Sequence, residues 1–259
     1  MSAVADTIAV TPRLPMRERV TLLSALAVIT GLSWLYLIRM PMAPADLGAL
    51  GARLLSVLPP RLADVWLLFM MWMVMMAAMM LPSATPMILA YAAISRGRVH
   101  SLAATWLFAV AYLVIWTVFS AAATAGQLAL ENASLLYGPS RTTSIVGAAL
   151  LVFAGMYQLT PLKNACLAHC RSPLGFFMTK WRDGRTGGFT MGVKHGAYCV
   201  GCCGMLMGLL FVFGVMNLLW VAALSVLVLL EKIAPFGRAI ARVSGVAMLA
   251  GAIALMVYS

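Results

Sequence analysis

Long apolar runs separated by short polar or basic stretches dominate the chain, and they set the expected elements. Runs near residues 20–38, 64–93, 102–125, 143–160, 190–215, 217–231 and 240–258 are apolar nearly all the way round a helix. A hydrocarbon slab of about 30 Å takes roughly 20 mostly apolar residues per helical crossing. The pattern therefore predicts an all-α, polytopic transmembrane helix bundle of about seven spans. The sixth run is short, so a six-span count stays open, with runs five and six forming a hairpin that turns at Gly214, Val215, Met216 and Asn217. The domain reading is a cytoplasmic N-terminal tail over 1–19 and a single transmembrane helical domain over 20–259.

The second run, "FMMWMVMMAAMMLPSATP", places seven methionines in the eleven positions from Met70 to Met80 and then meets Pro82 and Pro86. At 100° per residue, Met71, Met75 and Met79 share an arc of about 80°, and Met73, Met76 and Met80 share a second of about 60°. Thioether sulfur is soft and uncharged, so it suits Cu(I) and discriminates against hard cations. Methionine also packs well in irregular apolar gaps, and both readings stand at this point. A helical proline frees the carbonyl four residues earlier, so this span is expected to be kinked or broken near Pro82. In lipid the freed oxygens of Ala78 and Pro82 must meet protein or a water-filled cavity, with Ser83 and Thr85 at hand. Such breaks occur at transporter sites, and equally as simple packing kinks.

All 5 cysteines fall in "NACLAHC", 164–170, and "KHGAYCVGCCGMLMG", 194–208, together with two of the 3 histidines. With His195 at zero on a helical wheel, Cys199, Cys202 and Cys203 lie at about 40°, 340° and 80°, on one face. Cys166, His169 and Cys170 offer a second set one turn apart in the preceding loop. Thiolates and imidazoles bind Cu(I) or Zn²⁺. A dithiol role for Cys199 and Cys202, or simple packing, also fits the pattern. Gly204 and Gly208 form a G-x-x-x-G pair, which predicts a close helix contact, with the methionine span as one candidate.

Composition agrees with a membrane protein: 63% of the 259 residues are hydrophobic and 10% charged, with a mean hydropathy of +0.98. The net charge of +11 raises nucleic acid as a partner, but the distribution of the basic residues excludes it. With seven spans, one side receives Arg13, Arg17, Arg19, Arg96, Arg98, Lys163, Arg171, Lys180, Arg182, Arg185, Lys194, Lys232, Arg238 and Arg242. The other keeps Arg39, Arg53, Arg61 and Arg141. This asymmetry places the N-terminus in the cytoplasm and the C-terminus outside, with the bilayer and its anionic lipids as partners. The thiols then lie near a reducing compartment, which disfavours disulfides.

The remaining charged groups carry local expectations. Glu231 is expected to pair with Lys232, Arg238 or Arg242, and Asp64 to cap the second span or to attract cations at its outer mouth. His100 reads as a solvated interfacial residue. The aromatic and basic segment "LGFFMTKWRDGR", 174–185, is expected to anchor in lipid headgroups. There is no H-E-x-x-H, G-x-S-x-G or phosphate loop, so an enzyme is not expected.

Three stretches, "MMAAMMLPSATP", "YCVGCCGMLMGLLFVFGVMNLLW" and "LLEKIAPFGR", together resemble the bacterial membrane family catalogued as domain of unknown function 2182. The resemblance covers about residues 65–255. It implies a multi-pass protein of the bacterial inner membrane with a metal-related function. The chemistry of the sulfur ligands, not the resemblance, makes Cu(I) the expected ion, with Zn²⁺ as the alternative. It moves between the thioethers of the second span and the thiols near the cytoplasmic face, and a metallochaperone or membrane complex is the expected partner. The competing classes are a non-transporting subunit or assembly factor of a larger complex, and a membrane dithiol redox protein.

Overall fold

A computed structural model describes residues 14–39, 60–98, 100–137, 141–215 and 217–257. Most of the N-terminal tail and of the expected outer loop, including Arg13 and Arg53, lies outside the described residues. Among the described residues, ten helices carry the fold. They are α1 (Met16–Arg39), α2 (Pro60–Ser95), α3 (Ser101–Asn132), α4 (Ser144–Leu159), α5 (Pro161–Arg171), α6 (Pro173–Lys180), α7 (Gly184–Gly208), α8 (Leu210–Phe213), α9 (Leu218–Ile233) and α10 (Gly237–Val257). A two-residue antiparallel ladder, β1 (Leu136–Tyr137) with β2 (Arg141–Thr142), links α3 to α4.

Each of the seven expected spans is occupied by helix. Five are long and apolar enough to cross a membrane: α1, α2 from Arg61, α3, the run Gly184–Phe213 made of α7 and α8, and α10. The 16 residues of α4 cover only about 24 Å at 1.5 Å per residue. They reach crossing length when α4 and α5, bent by 65° at Thr160, are taken as one broken span. Helix α9 is equally short at 16 residues. The expected turn after the fifth run is present: Gly214 has φ 96, a left-handed conformation open to glycine, and the Asn217 amide donates to its carbonyl.

The stretch expected as a basic loop between runs four and five is instead largely helical. Thr160 and Ser172 cap α5 and α6 through their side chains, each followed by a proline in the first turn, as N-terminal capping chemistry favours. Helix α2 runs through Pro82 and Pro86 without a break. The Ala78 carbonyl left without its helical partner at Pro82 accepts from Trp34 Nε1 of α1 at 3.2 Å. Ser83 and Thr85 donate back to the carbonyls of Met80 and Leu81. Protein groups thus satisfy the first of the two disrupted positions, in line with the requirement set by lipid. Asp64 is not a cap, since α2 begins four residues earlier, and its side chain is exposed.

Helix α3 packs closely against both α2 and α7, α5 covers another side of α7, and α9 lies against α2. The close seam uses glycines other than the expected pair. A Cβ on Gly188 would sit 2.3 Å from the Ala104 carbonyl oxygen, and one on Gly192 would sit 2.3 Å from that of Phe108. A Cβ on Gly196 would meet the side chain of Ile115 at 2.8 Å. This stripe, spaced by four, lets the backbones of α7 and α3 touch, as small residues do between membrane helices. Gly208 has open space where a Cβ would go, and Gly204 makes only ordinary contacts.

Candidate metal centre

Two helices deliver the sulfur. On α2 the side chains of Met71, Met75, Met76, Met79 and Met80 are all buried, while Met73 is half-buried. They belong to one apolar core that also contains Cys199, Cys202 and Cys203. The buried thioethers and the thiols therefore lie in one core inside the bundle rather than facing lipid.

On α7 the Sγ atoms of Cys199, Cys202 and Cys203 lie within 4.8 Å of one another, each buried. Sequence spacing explains the group: residues three and four apart share a helix face, and the adjacent pair widens it. Cys202 Sγ is 3.1 Å from Cys203 Sγ and donates to the Cys199 carbonyl at 3.3 Å. A fourth thiol reaches in from α5, with Cys170 Sγ 3.8 Å from Cys202 Sγ. All five cysteines are free thiols.

The rest of the expected ligand set separates. Cys166 faces the backbone of α7 at Gly201, where a Cβ would lie 2.9 Å from its sulfur. His169 turns away, its Nδ1 2.9 Å from the Ala165 carbonyl of its own helix and its ring stacked on Tyr198 at 4.4 Å. His195 lies outside the close sulfur group. It is buried among Phe108, Tyr112 and Phe176, with ring centroids at 5.8, 5.4 and 5.9 Å. The i, i+3, i+4 spacing put these residues on adjacent faces, but aromatic packing took the imidazoles.

Two polar groups that spacing alone did not reveal contact Cys199, and one of them is held by Ser83. Lys232 Nζ, from α9, donates to Cys199 Sγ at 3.0 Å and to Ser83 Oγ at 2.8 Å. The Tyr112 hydroxyl lies 3.1 Å from the same sulfur and donates to the Met80 carbonyl at 3.2 Å. Met80 and Ser83 belong to the Pro82 turn of α2, so this turn is tied to the thiol cluster through one tyrosine and one lysine. The lysine supplies a countercharge to a thiolate, the form of cysteine that binds metal.

Glu231 does not pair with its neighbour Lys232. Its Oε2 accepts from Lys163 Nζ of α5 at 2.6 Å, with both side chains essentially excluded from solvent. Gln158 Nε2 donates to Glu231 Oε1 at 2.8 Å and to Ser244 Oγ at 2.8 Å. Successive residues of a helix point in different directions, so Glu231 ties α9 to α5 while Lys232 turns to the thiols.

The segment expected as a headgroup anchor closes one side of the site. Phe176 and Phe177 are buried, and a series of ring contacts runs inward from Trp181 through Tyr91 and Phe108 to His195 and Tyr112. At its outer end Arg98 sits over the Trp181 ring at 4.6 Å and pairs with Asp183. The Trp181 Nε1 donates to Asp183 at 2.8 Å. These two donors, the indole first and the guanidinium second, hold the Asp183 carboxyl below the ordinary carboxylate range.

Helices of this length around a buried thiol cluster and a methionine-lined helix define a multi-pass membrane protein with a soft-metal site. A family model described as "PpoB2: Copper chaperone" matches residues 69–255. The chain belongs to this copper chaperone family. No curated protein and no solved structure matches it.

Proposed function

We propose that the protein binds Cu(I) as cargo at the Cys199, Cys202 and Cys203 thiolates, with Cys170 as a fourth sulfur in reach, and hands the ion on by ligand exchange. The observation that carries this reading is the trio of buried thiol sulfurs within 4.8 Å of one another. Thiolates are soft ligands and favour Cu(I) among the common metal ions; Zn²⁺ is the alternative for a four-sulfur set. Membership of a copper chaperone family supports copper over zinc.

The methionine face of α2 is the proposed feeder. Its buried thioethers share the core with the thiols, and neutral weak ligands leading to ionisable stronger ones give a downhill order toward the cytoplasmic side. With α4 and α5 as one broken span, the basic residues before α7 divide as Arg13, Arg17, Arg19, Arg96, Arg98, Lys180, Arg182 and Arg185 against Arg39, Arg53, Arg61 and Arg141. Lys163 and Lys232 are buried in the bundle and drop out. The side of Arg238 and Arg242 turns on whether the 16-residue α9 crosses, so the positive-inside argument rests on the segments before α7. That balance supports an inner-membrane protein with a cytoplasmic N-terminus, and the role we assign it is delivery of Cu(I) to an acceptor protein without bond-breaking chemistry.

Anaerobic loading of the purified protein with Cu(I), read by metal analysis and X-ray absorption, tests the assignment. The expected result is bound copper with a sulfur-dominated shell that the triple variant Cys199→Ser, Cys202→Ser, Cys203→Ser loses. Copper-free wild type after loading, or a triple variant with an unchanged sulfur shell, overturns it.

A further inference from the structure

His195 is the least explained buried group near the thiols. Its residue is 2% exposed, yet neither Nδ1 nor Nε2 has a hydrogen-bond partner among the described residues. A buried imidazole without a partner is costly, and such groups call for a specific explanation. Packing alone would be served better by phenylalanine, because three of the neighbouring rings are aromatic already.

The position of His195 on α7 supplies that explanation. Met191, His195 and Cys199 follow one another at intervals of four residues, and all three are buried. Side chains four apart lie one above the other on a helix face. The seam therefore presents thioether, imidazole and thiol in sequence, one turn at a time. A thioether and a neutral imidazole form a soft, uncharged pair suited to Cu(I) or Ag(I). The faces of Phe108 and Tyr112, stacked on the imidazole at interplanar angles of 21° and 25°, make an electron-rich wall that tolerates a cation.

We infer that Met191 and His195 form a second, weaker site for a monovalent soft cation, one turn from the thiol cluster, through which Cu(I) enters or leaves that cluster beneath α6. This rests on the proposed copper function for its direction of use, but the site stands on its own geometry. Transfer between the two sites is ligand exchange at constant oxidation state: Cys199 releases the ion as the imidazole and thioether take it, and no electron moves.

Ag(I), which is not reduced or oxidised under these conditions, probes the second site directly. The protein is loaded with Ag(I) in the thiol-free background in which Cys166, Cys170, Cys199, Cys202 and Cys203 are all replaced by serine, and the ¹⁵N resonances of His195 are followed. The expected result is a shift of one His195 nitrogen with one equivalent of Ag(I). Adding His195→Phe, which keeps the ring stack, or Met191→Leu is expected to lower the apparent affinity for that equivalent at least tenfold. His195 resonances that do not respond, or Ag(I) binding unchanged by both substitutions, overturn the second site. Either result leaves the thiol cluster untouched, whereas failure of the wild-type protein to retain Cu(I) strikes the copper reading and not this site.

Discussion

Lys232 Nζ donates to Cys199 Sγ across 3.0 Å, joining α9 to the first thiol of the α7 cluster. Three thiolates and one Cu(I) would carry net negative charge into a buried site, and Lys232 is placed to offset part of it. Removing one partner of a buried charge pair costs about 2–5 kcal/mol, and each 1.4 kcal/mol is about tenfold in affinity. Lys232→Met is expected to weaken Cu(I) binding by about 30-fold to a few thousandfold in competition with a chelator, with Lys232→Arg intermediate. Unchanged affinity in Lys232→Met would remove the lysine from the site.

The two cysteines of α5 should behave differently although they are one turn apart. Cys170 Sγ lies 3.8 Å from Cys202 Sγ, while the Cys166 sulfur sits over the Gly201 backbone. Cys170→Ser is expected to lower the number of sulfurs seen around bound copper, and Cys166→Ser to leave it unchanged. X-ray absorption of the two loaded variants decides between them; equal effects would mean that α5 rearranges on loading.

The pair formed by Glu231 and Lys163 is structural, and its loss should appear in stability before it appears in copper binding. Both groups are buried, and breaking such a pair by removing one partner costs about 3–5 kcal/mol. Glu231→Ala is expected to lower the thermal midpoint in detergent strongly, whereas Glu231→Met with Lys163→Met should recover much of it. A double variant no more stable than Glu231→Ala would contradict this account.

Parts of this arrangement were legible in the sequence, and the rest depended on contacts between distant segments. The inward face of α2 followed from the periodicity of Met71, Met75 and Met79, and the thiol group from the spacing of Cys199, Cys202 and Cys203. Lys232 and Tyr112 were not, because each comes from a different helix and meets Cys199 only after the bundle packs, with Ser83 joined to them through Lys232. Glu231 was assigned a neighbour in sequence, but its partner Lys163 lies on α5, in a stretch read as loop. The glycine motif at Gly204 and Gly208 drew attention, while the stripe Gly188, Gly192 and Gly196, with the same spacing, makes the close contact. Spacing gives a shared face; only packing says which face is pressed against another helix.

Asp183 provides a pH-sensitive latch at the outer end of the aromatic series. Its carboxyl is held below the ordinary range by the Trp181 indole and the Arg98 guanidinium. A depressed carboxyl contributes stability above its unfolded value, about 4, and loses that contribution as pH falls through its lower folded value. The Trp181 indole N–H resonance is therefore expected to titrate with a midpoint below the usual carboxylate range. In Arg98→Gln the midpoint should rise toward the ordinary value. A midpoint that is already ordinary in the wild type would dissolve the latch.

The methionines of α2 separate a metal path from a merely adaptable packing surface. Met71, Met75 and Met79 are buried, so their replacement by leucine, similar in volume and apolar, should cost less than about 1.5 kcal/mol per site. Folding and thermal midpoint are therefore expected to survive the triple change, while the feeder function should not. Leucine offers no sulfur, and Cu(I) would meet a stretch of hydrocarbon before the thiols. In cells, the triple variant is expected to reach the membrane at wild-type levels yet to fail in loading a copper enzyme that depends on this protein. The Cys199, Cys202, Cys203 cluster of the purified variant should still bind Cu(I) added directly. Full activity of the triple-leucine protein in cells would mean that the methionines serve packing alone and that copper reaches the thiols by another route.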